Sequence, residues 1–543
     1  MGSYTRNPGS LMRIFQRINL SSRNAAALLA CMLTYASGAG AATTLSDIPV
    51  GSASNVPANL MLALSVEFPT GTVAAYKGKN DFSTTTAYLG YFDNLKCYDY
   101  DSTNQYFTPV AAAGTSIPTC TGHWSGNMLN WATMTALDEF RQSLTGGNRS
   151  IDVDNATGNT VLLRSYLNGQ STTGNFPDKT LTKALAASTV GDASYNNITT
   201  TYIRNAAQNS SFQISNNSSF GSGKYTDSNG RNQTGGLTTT YQVAIQVCVS
   251  GKLEGNCNSN TKNSYVGSGK YNKPEGLIQQ NYQRIRVGAA GYVFQVGSGP
   301  ANGAVRALIE DNGPDTYNGN GARTACSNTK TQWSCTTGAF IANPDAPGTI
   351  TPDGTTAASL SGAINYLNKF GYDNGYETDD TLADLYWASL AYMMNVPLDS
   401  SYFTGMTGSN SMDTKFAVYQ SANLNDPVQY QCQANSIVTI GDSHTWYDTR
   451  VPSTSSPPAG TNQGALTPVN GADAGLYATA LGNLPLIEGK SSTTTITMAS
   501  LFGSGVSLGS KSEPNGTTNP TYNMAGLAYF AHTQDIRPAP ANG

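Results

Sequence analysis

The hydrophobic pattern changes period several times along the chain, and each change marks an element. Residues 59–68, NLMLALSVEF, are apolar almost without interruption over the length of one strand. A parallel strand covered by helices on both faces requires that pattern. From His123 to Gly147 the apolar positions fall at helical spacing. Trp124, Met128 and Trp131 share one face, Leu129, Leu137, Phe140 and Leu144 take adjoining positions, and Gly146 and Gly147 end the run. One helix is expected there, with its tryptophans as core anchors rather than a ligand platform. Residues 190–235 carry five charges among repeated Asn, Ser, Gly and Thr, which reads as an insertion or flexible loop. Tyr241, Val243, Ile245, Val247 and Val249 then alternate as one half-buried strand does. The stretch from Lys273 predicts a helix with Pro274 in its first turn, running into a strand over 285–296. Leu360, Ile364 and Leu367 mark another helix. Leu382, Leu385, Tyr386 and Leu390 mark a second, capped near Asp379 or Asp380. A short strand over 436–442 and a helical patch over 524–532 complete the order. Helices alternating with buried strands give an α/β fold with a parallel sheet, interrupted by large loop- and strand-rich insertions.

Composition narrows the setting. Charged residues are only 12% of the 543, so the surface is neutral and polar, with 56 Gly and 30 Tyr. The net charge is −4 and no Lys/Arg cluster supplies the field that nucleic-acid binding needs. Arg6, Arg13, Arg17 and Arg23 precede an uncharged stretch over 24–42 that ends in Ala39, Gly40 and Ala41, the pattern of a cleaved secretory signal. A retained anchor is the competing reading, and Cys31 faintly resembles a lipidation site. No later apolar run is long enough to span a membrane. Export permits disulfides, and short-range pairing is the simplest connectivity: Cys97 with Cys120, Cys248 with Cys257, Cys326 with Cys335. Cys432 is left over and reads as a small buried apolar side chain. Three histidines and no C-x-x-C pair leave no zinc site.

In an open parallel sheet, ligands bind at the carboxyl ends of the strands. The end of the first apolar run, the Thr381 helix start and the Gly441-Asp442 strand end are expected to meet at such a rim. That disposition resembles a von Willebrand A domain (Rossmann-like), whose adhesion site holds Mg²⁺ through an Asp-x-Ser-x-Ser, a Thr and a late Asp. Thr381 and Asp442 match the last two. Ser65 stands where the first Asp belongs, Glu67 replaces one Ser and Pro69 the other. The resemblance therefore implies a degenerate metal site of Ser65, Glu67, Thr381 and Asp442, weak or inactive, since a hard cation wants carboxylate oxygens. The alternative is that Thr381 caps a helix and Asp442 begins a turn.

Longer blocks carry a closer resemblance. HWSGNMLNWATMTALDEFR, KPEGLI, INYLNKFGY, DDTLADLYWASLAY, SIVTIGDSHTWYD and AGLAYFAHTQDIRP look like the amino-terminal half of the type IV pilus tip adhesin and assembly family, the PilC/PilY proteins. The resemblance implies a protein exported through the periplasm to the cell surface at the pilus tip. It would act by binding minor pilins and surface or host ligands and would catalyse nothing. The family's calcium-bearing β-propeller has no counterpart in this chain. The domain reading is a signal over 1–42 and a von Willebrand A-like domain over 43–543, with insertions at about 69–123, 148–272, 297–356 and 450–520.

Three other readings are weighed against it. EF-hand-like starts at Asp99 and Asp152 lack the required glycine and glutamate spacing and read as Asx turns. VTIGDSHTW resembles the Gly-Asp-Ser block of secreted esterases, with Ser443 as nucleophile and His532 as base, but Tyr529 stands where that pattern wants Asp. The Tyr/Asn/Ser-rich insertion over 191–235 has the composition of a glycan-binding surface, or simply of solvated loops.

Overall fold

The computed structural model describes residues 56–65, 71–154, 159–167, 171–258 (without 222 and 228), 272–293, 302–317, 322–345, 358–370, 381–399, 416–419, 424–441, 450–454, 465–482 and 521–537. Four strands build the central sheet: β1 (Ala58–Leu64), β2 (Ile285–Val293), β3 (Asn302–Glu310) and β4 (Asn435–Ile440). Their order is β3-β2-β1-β4. β1 runs parallel to β2, with Leu60 opposite Val287, and parallel to β4, with Leu60 opposite Ser436. β3 returns antiparallel to β2. The fold class is thus α/β with a mixed sheet.

Six helices matter below: α1 (Gly126–Thr133), α2 (Ala136–Thr145), α3 (Ala363–Lys369), α4 (Leu382–Met394), α5 (Ala474–Gly482) and α6 (Asn523–Thr533). α4 is buried on all sides, as its apolar sequence LADLYWASLAYMM requires. It packs on β3, where a Cβ at Gly303 would lie 2.4 Å from Leu385 Cα, so only glycine admits the helix. Its other side meets α6 and Val451. Met61, Leu62, Ala289, Val305, Ile364 and Leu385 fill the core between sheet and helices.

Between β1 and β2 the chain builds a second core. One sheet of six strands runs, in spatial order, Trp124–Ser125, Cys97–Asp101, Tyr106–Pro109, Ala244–Val247, Thr160–Leu163, Arg149–Asp152. Another has four antiparallel strands: Thr238–Gln242, Ser211–Ser215, Thr200–Arg204, Lys179–Thr182. Phe92, Tyr98, Phe107, Trp124, Phe212 and Tyr241 meet mostly edge to face between them, with centroids 4.9 to 5.9 Å apart. Trp124 and Trp131 are both buried here, as core anchors.

Several sequence expectations change. The single helix after His123 is two, because Thr135 leaves helical geometry and forms a capping box with Asp138 that starts α2; Trp124 precedes the helices on a strand. Gly146 does end α2 in a left-handed cap. Residues 190–235 are not simply loop. Ile203, Phe212 and Ile214 alternate into the core and outweigh the polar composition. The alternation from Tyr241 is split at Val243 between the two sheets, Thr238–Gln242 in one and Ala244–Val247 in the other. Pro274 lies in a two-residue strand, and only Leu277–Gln280 is helical, started at Gly276. Among the described residues β4 is an edge strand, with exposed residues rather than a buried ribbon. Asp379 and Asp380 lie outside the described residues.

The block around α1 shows why that sequence is so particular. Asn127 Oδ1 accepts the Tyr88 N–H at 2.8 Å and its Nδ2 donates to Thr86 O at 2.9 Å. One turn on, Asn130 Oδ1 accepts the Phe92 N–H at 3.1 Å, and its Nδ2 donates to Tyr88 O and Phe92 O at 2.9 and 2.8 Å. Both asparagines are buried, and together they clamp the 86–92 loop against α1. A Cβ at Gly90 would lie 2.4 Å from Asn130 Oδ1, and at Gly126 2.2 Å from Asp93 O, so the loop and helix close to backbone contact.

Candidate functional site

β1 and β4 end on the same rim, and β1 is followed in the sheet by β2 on its other side, which makes the β1/β4 boundary a topological switch point. Ser65 follows β1 and donates its N–H to Ile440 O at 2.8 Å. Gly441 follows β4; a Cβ there would lie 2.6 Å from Leu382 Cδ1 and 3.1 Å from Ser65 Cβ. Leu382 opens α4, and the buried Thr381 is its N-cap residue, although the hydroxyl makes no capping bond. The three segments expected to converge do so.

Glu67 and Asp442 lie outside the described residues. The described donors of the set are the hydroxyls of Ser65 and Thr381, which are neutral, and two hydroxyls alone do not hold Mg²⁺. Beside Ser65 is instead a pocket of about 380 Å³ lined by Leu64, Val73, Leu137, Phe140, Phe370 and Ile440. At its described part the rim offers an apolar seat. Asp384, fully buried in the first turn of α4, accepts the Arg450 N–H at 3.1 Å. Sequence reasoning passed over it, although Thr381-Leu-Ala-Asp384 has the spacing of a capping box.

Among the described residues, the second core holds a buried ion-pair cluster. Lys273 Nζ meets Asp152 Oδ1 at 2.8 Å, and Arg149 Nη1 meets Asp152 Oδ2 at 3.1 Å. Burial pushes the Asp152 carboxyl upward, but Arg149 and Lys273 outweigh it and hold the group below its ordinary value. Asp152 is therefore an ion-pair hub and not an Asx turn. In the run that begins at Asp99, a turn of that kind is made by Asp101, whose Oδ1 accepts the N–H groups of Thr103 and Asn104, each at 2.9 Å. Asp99 pairs with His123 at 2.6 Å. Lys179 donates to the Tyr76 and Gly78 carbonyls and sits 4.8 Å from the Trp131 ring centroid. Burial lowers its pKa to about 8 against a partial correction from Asp81.

The three disulfides are Cys97–Cys120, Cys248–Cys257 and Cys326–Cys335, as the spacing suggested. Glu254 lies with Cys248 and Cys257 in a three-ligand cluster, but both sulfurs are spent in the disulfide and the carboxylate pairs with Lys96 Nζ at 2.5 Å. Cys432 is exposed, contrary to the buried reading. It belongs to the polar 429–434 approach to β4, in which Gln433 alone is buried. Ser443 and His444 lie outside the described residues, and His532 is exposed on α6. Among the described residues no helix is long and apolar enough to cross a membrane.

Comparison with known proteins puts a family beside this geometry. Residues 79–235 match the family described as "PilY1 homolog, small alpha/beta domain", and so fall within the second core. A "Type IV pilus biogenesis factor PilY1 homolog" of Xylella fastidiosa is 30% identical over 531 residues, 92% of this chain and 41% of that protein. Another Xylella fastidiosa protein of the same description is 35% identical over 79 residues, 14% of this chain and 5% of its own length. The chain thus spans about two fifths of the longer-matching relative. No solved structure matches. The asparagine-clamped core and the sheet around it are those of a chain that belongs to the PilY1-like family of pilus proteins.

Proposed function

We propose that this chain is part of an exported type IV pilus biogenesis factor that works by binding and not by catalysis. The observation that carries the proposal is the identity to a pilus biogenesis factor along 92% of the chain. Within it, β1 and β4 form the heart of a von Willebrand A-like domain, and the second core is carried as an insertion between β1 and β2. The parallel register of β1 with β2 and β4 supports that reading. Residues 1–42 direct export and are removed. The mature protein sits at the pilus tip, where it engages minor pilins and a surface or host ligand. The Ser65, Glu67, Thr381, Asp442 constellation is a degenerate adhesion site with weak or no Mg²⁺ affinity.

Deleting the gene and restoring it with the intact sequence tests the role. Pilus number per cell by electron microscopy should fall on deletion, or surface attachment should be lost, and return on complementation. Normal piliation together with normal attachment in the deletion strain refutes the proposal. Purified protein should leave a chromogenic short-chain ester intact; hydrolysis lost in Ser443→Ala would replace binding with catalysis.

A further inference from the structure

The carboxamides just before β4 are used in two ways. Gln433 is buried and spends its side chain on the fold: its Oε1 accepts the Gln429 N–H at 2.9 Å, and its Nε2 donates to Pro57 O at 2.7 Å and to Asn59 Oδ1 at 3.2 Å. The Gln433 N–H in turn closes on Tyr430 O at 3.0 Å. These bonds fix a turn over 429–433. The residues it displays, Gln429, Tyr430 and Gln431, are exposed, and their side chains form no hydrogen bond among the described residues. The Tyr430 ring is 40% exposed.

These three side chains line a cleft of about 540 Å³, together with Asn435 and, from the segment after α6, Asp535 and Arg537. Small-molecule sites ordinarily measure about 300–1,000 Å³. The other walls are held as firmly as the turn. Arg537 donates from Nε to Met393 O at 2.6 Å, and its Nη1 and Nη2 donate to Asp426 Oδ2 and Oδ1 at 3.0 and 2.8 Å. Asn435 donates from Nδ2 to Gln433 O at 2.8 Å and accepts from Asn59 Nδ2 at 2.9 Å. The cleft is therefore built before any ligand arrives.

Its chemistry selects the occupant. A carboxamide presents two donors and an acceptor in one plane, the complement of adjacent hydroxyls, each of which donates and accepts. The face of a tyrosine ring is electron-rich and attracts the positive side of C–H groups. A sugar ring offers both, hydroxyls around its rim and C–H groups on its faces. An anion is disfavoured, because Asp426 neutralises Arg537 and Asp535 adds a negative charge. A polypeptide strand, from this chain or another, is held through its main chain. The main-chain amides of Val428, Gln429, Gln433 and Arg537 are already spent, on Asp426 Oδ1, Gln433 Oε1, Tyr430 O and Asp535 Oδ1. What is left to read a ligand is side-chain tips. We propose that this cleft binds a neutral oligosaccharide, with Tyr430 stacked on a sugar face and Gln429 and Gln431 bonded to its hydroxyls. The inference stands on the cleft and does not require the pilus reading.

The test uses the purified full chain and four neutral disaccharides, maltose, cellobiose, lactose and diacetylchitobiose, followed by saturation-transfer NMR and titration. Saturable binding of at least one is expected. Tyr430→Ala removes the stacking face and should weaken it about tenfold or more, while Tyr430→Phe keeps the ring and should stay within about threefold of the wild type. The double variant Gln429→Ala, Gln431→Ala should also lose about tenfold, and it decides the matter if Tyr430→Ala alters the melting temperature. The proposal is overturned if the wild-type chain binds none of the four, or if Tyr430→Ala and the double variant bind as the wild type does. It is overturned equally if the chain takes the uncharged peptide Ser-Asn-Gly-Thr-Ser in preference to every sugar.

Discussion

Replacing Asn130 by alanine should loosen one loop far more than its size suggests. The side chain is fully buried and satisfies three backbone groups, the Phe92 N–H and the carbonyls of Tyr88 and Phe92. Each buried group left without a partner costs about 1–3 kcal/mol, and a water admitted to the vacated space recovers part of that. The expected loss is about 3 kcal/mol, at the high end for a single substitution. Since 1.4 kcal/mol is about tenfold in an equilibrium, the Phe92 amide should exchange with deuterium about a hundredfold faster. The Tyr88 amide, bound to Asn127, should respond less. Asn130→Asp keeps the acceptor for Phe92 but turns two donors into acceptors facing carbonyls. It should match alanine at neutral pH and recover in acid, as the protonated carboxyl regains a donor. Phe92 exchange within threefold of the wild type, with stability changed by less than about 0.5 kcal/mol, would refute the clamp.

Other consequences are open to direct measurement. Gly441→Ala must push Leu382 Cδ1 and Ser65 Cβ aside, so thermal stability should fall by about 1–2 kcal/mol; an unchanged melting temperature would mean the rim is looser than described. Lys179, with its pKa lowered from 10.5 to about 8, should make stability rise with pH over that interval. There the native state has released a proton that the unfolded chain still holds. Lys179→Met should abolish that rise, and an identical pH profile in the two proteins counts against the assignment. Asp152, held below its ordinary value, stabilises the fold above the unfolded carboxylate pKa of about 3.9 and ceases to do so as pH falls through its lower folded value. Asp152→Asn should flatten the acid limb of a denaturation curve. Native protein lacking residues 1–42 should react with a thiol reagent once, at Cys432; no reaction before unfolding would contradict its exposure.

What the sequence revealed was chiefly what depends on local periodicity. A continuous apolar run located β1 and a short β-branched stretch located β4, and the assumption of a wound α/β core placed them side by side, as Leu60 and Ser436 are. The short cysteine spacings foretold three disulfides. Polar composition hid the sheet containing Ser211–Ser215, because alternation of a few residues such as Phe212 and Ile214 is masked by serine and asparagine on the outer face. The break at Thr135 was missed although its partner Asp138 stands at capping-box spacing, since the apolar stripe continues through it. At the rim, sequence named Ser65 and Thr381 by analogy to an ion site but could not show the apolar lining. That lining comes from Val73, Leu137, Phe140 and Phe370, drawn from separate parts of the chain.

The chain lays down its central strand first and supplies that strand's last neighbour much later, since Asn59 and Asn435 are 376 positions apart. Joining ends so distant costs entropy that grows with the logarithm of the intervening length, and topologies rich in such remote contacts fold slowly. The intervening aromatic core, closed by nearer contacts, is able to condense while the β1 segment still waits. Until β2 and β4 are supplied, that seven-residue apolar strand stands unpaired, and exposed surface of this kind favours aggregation.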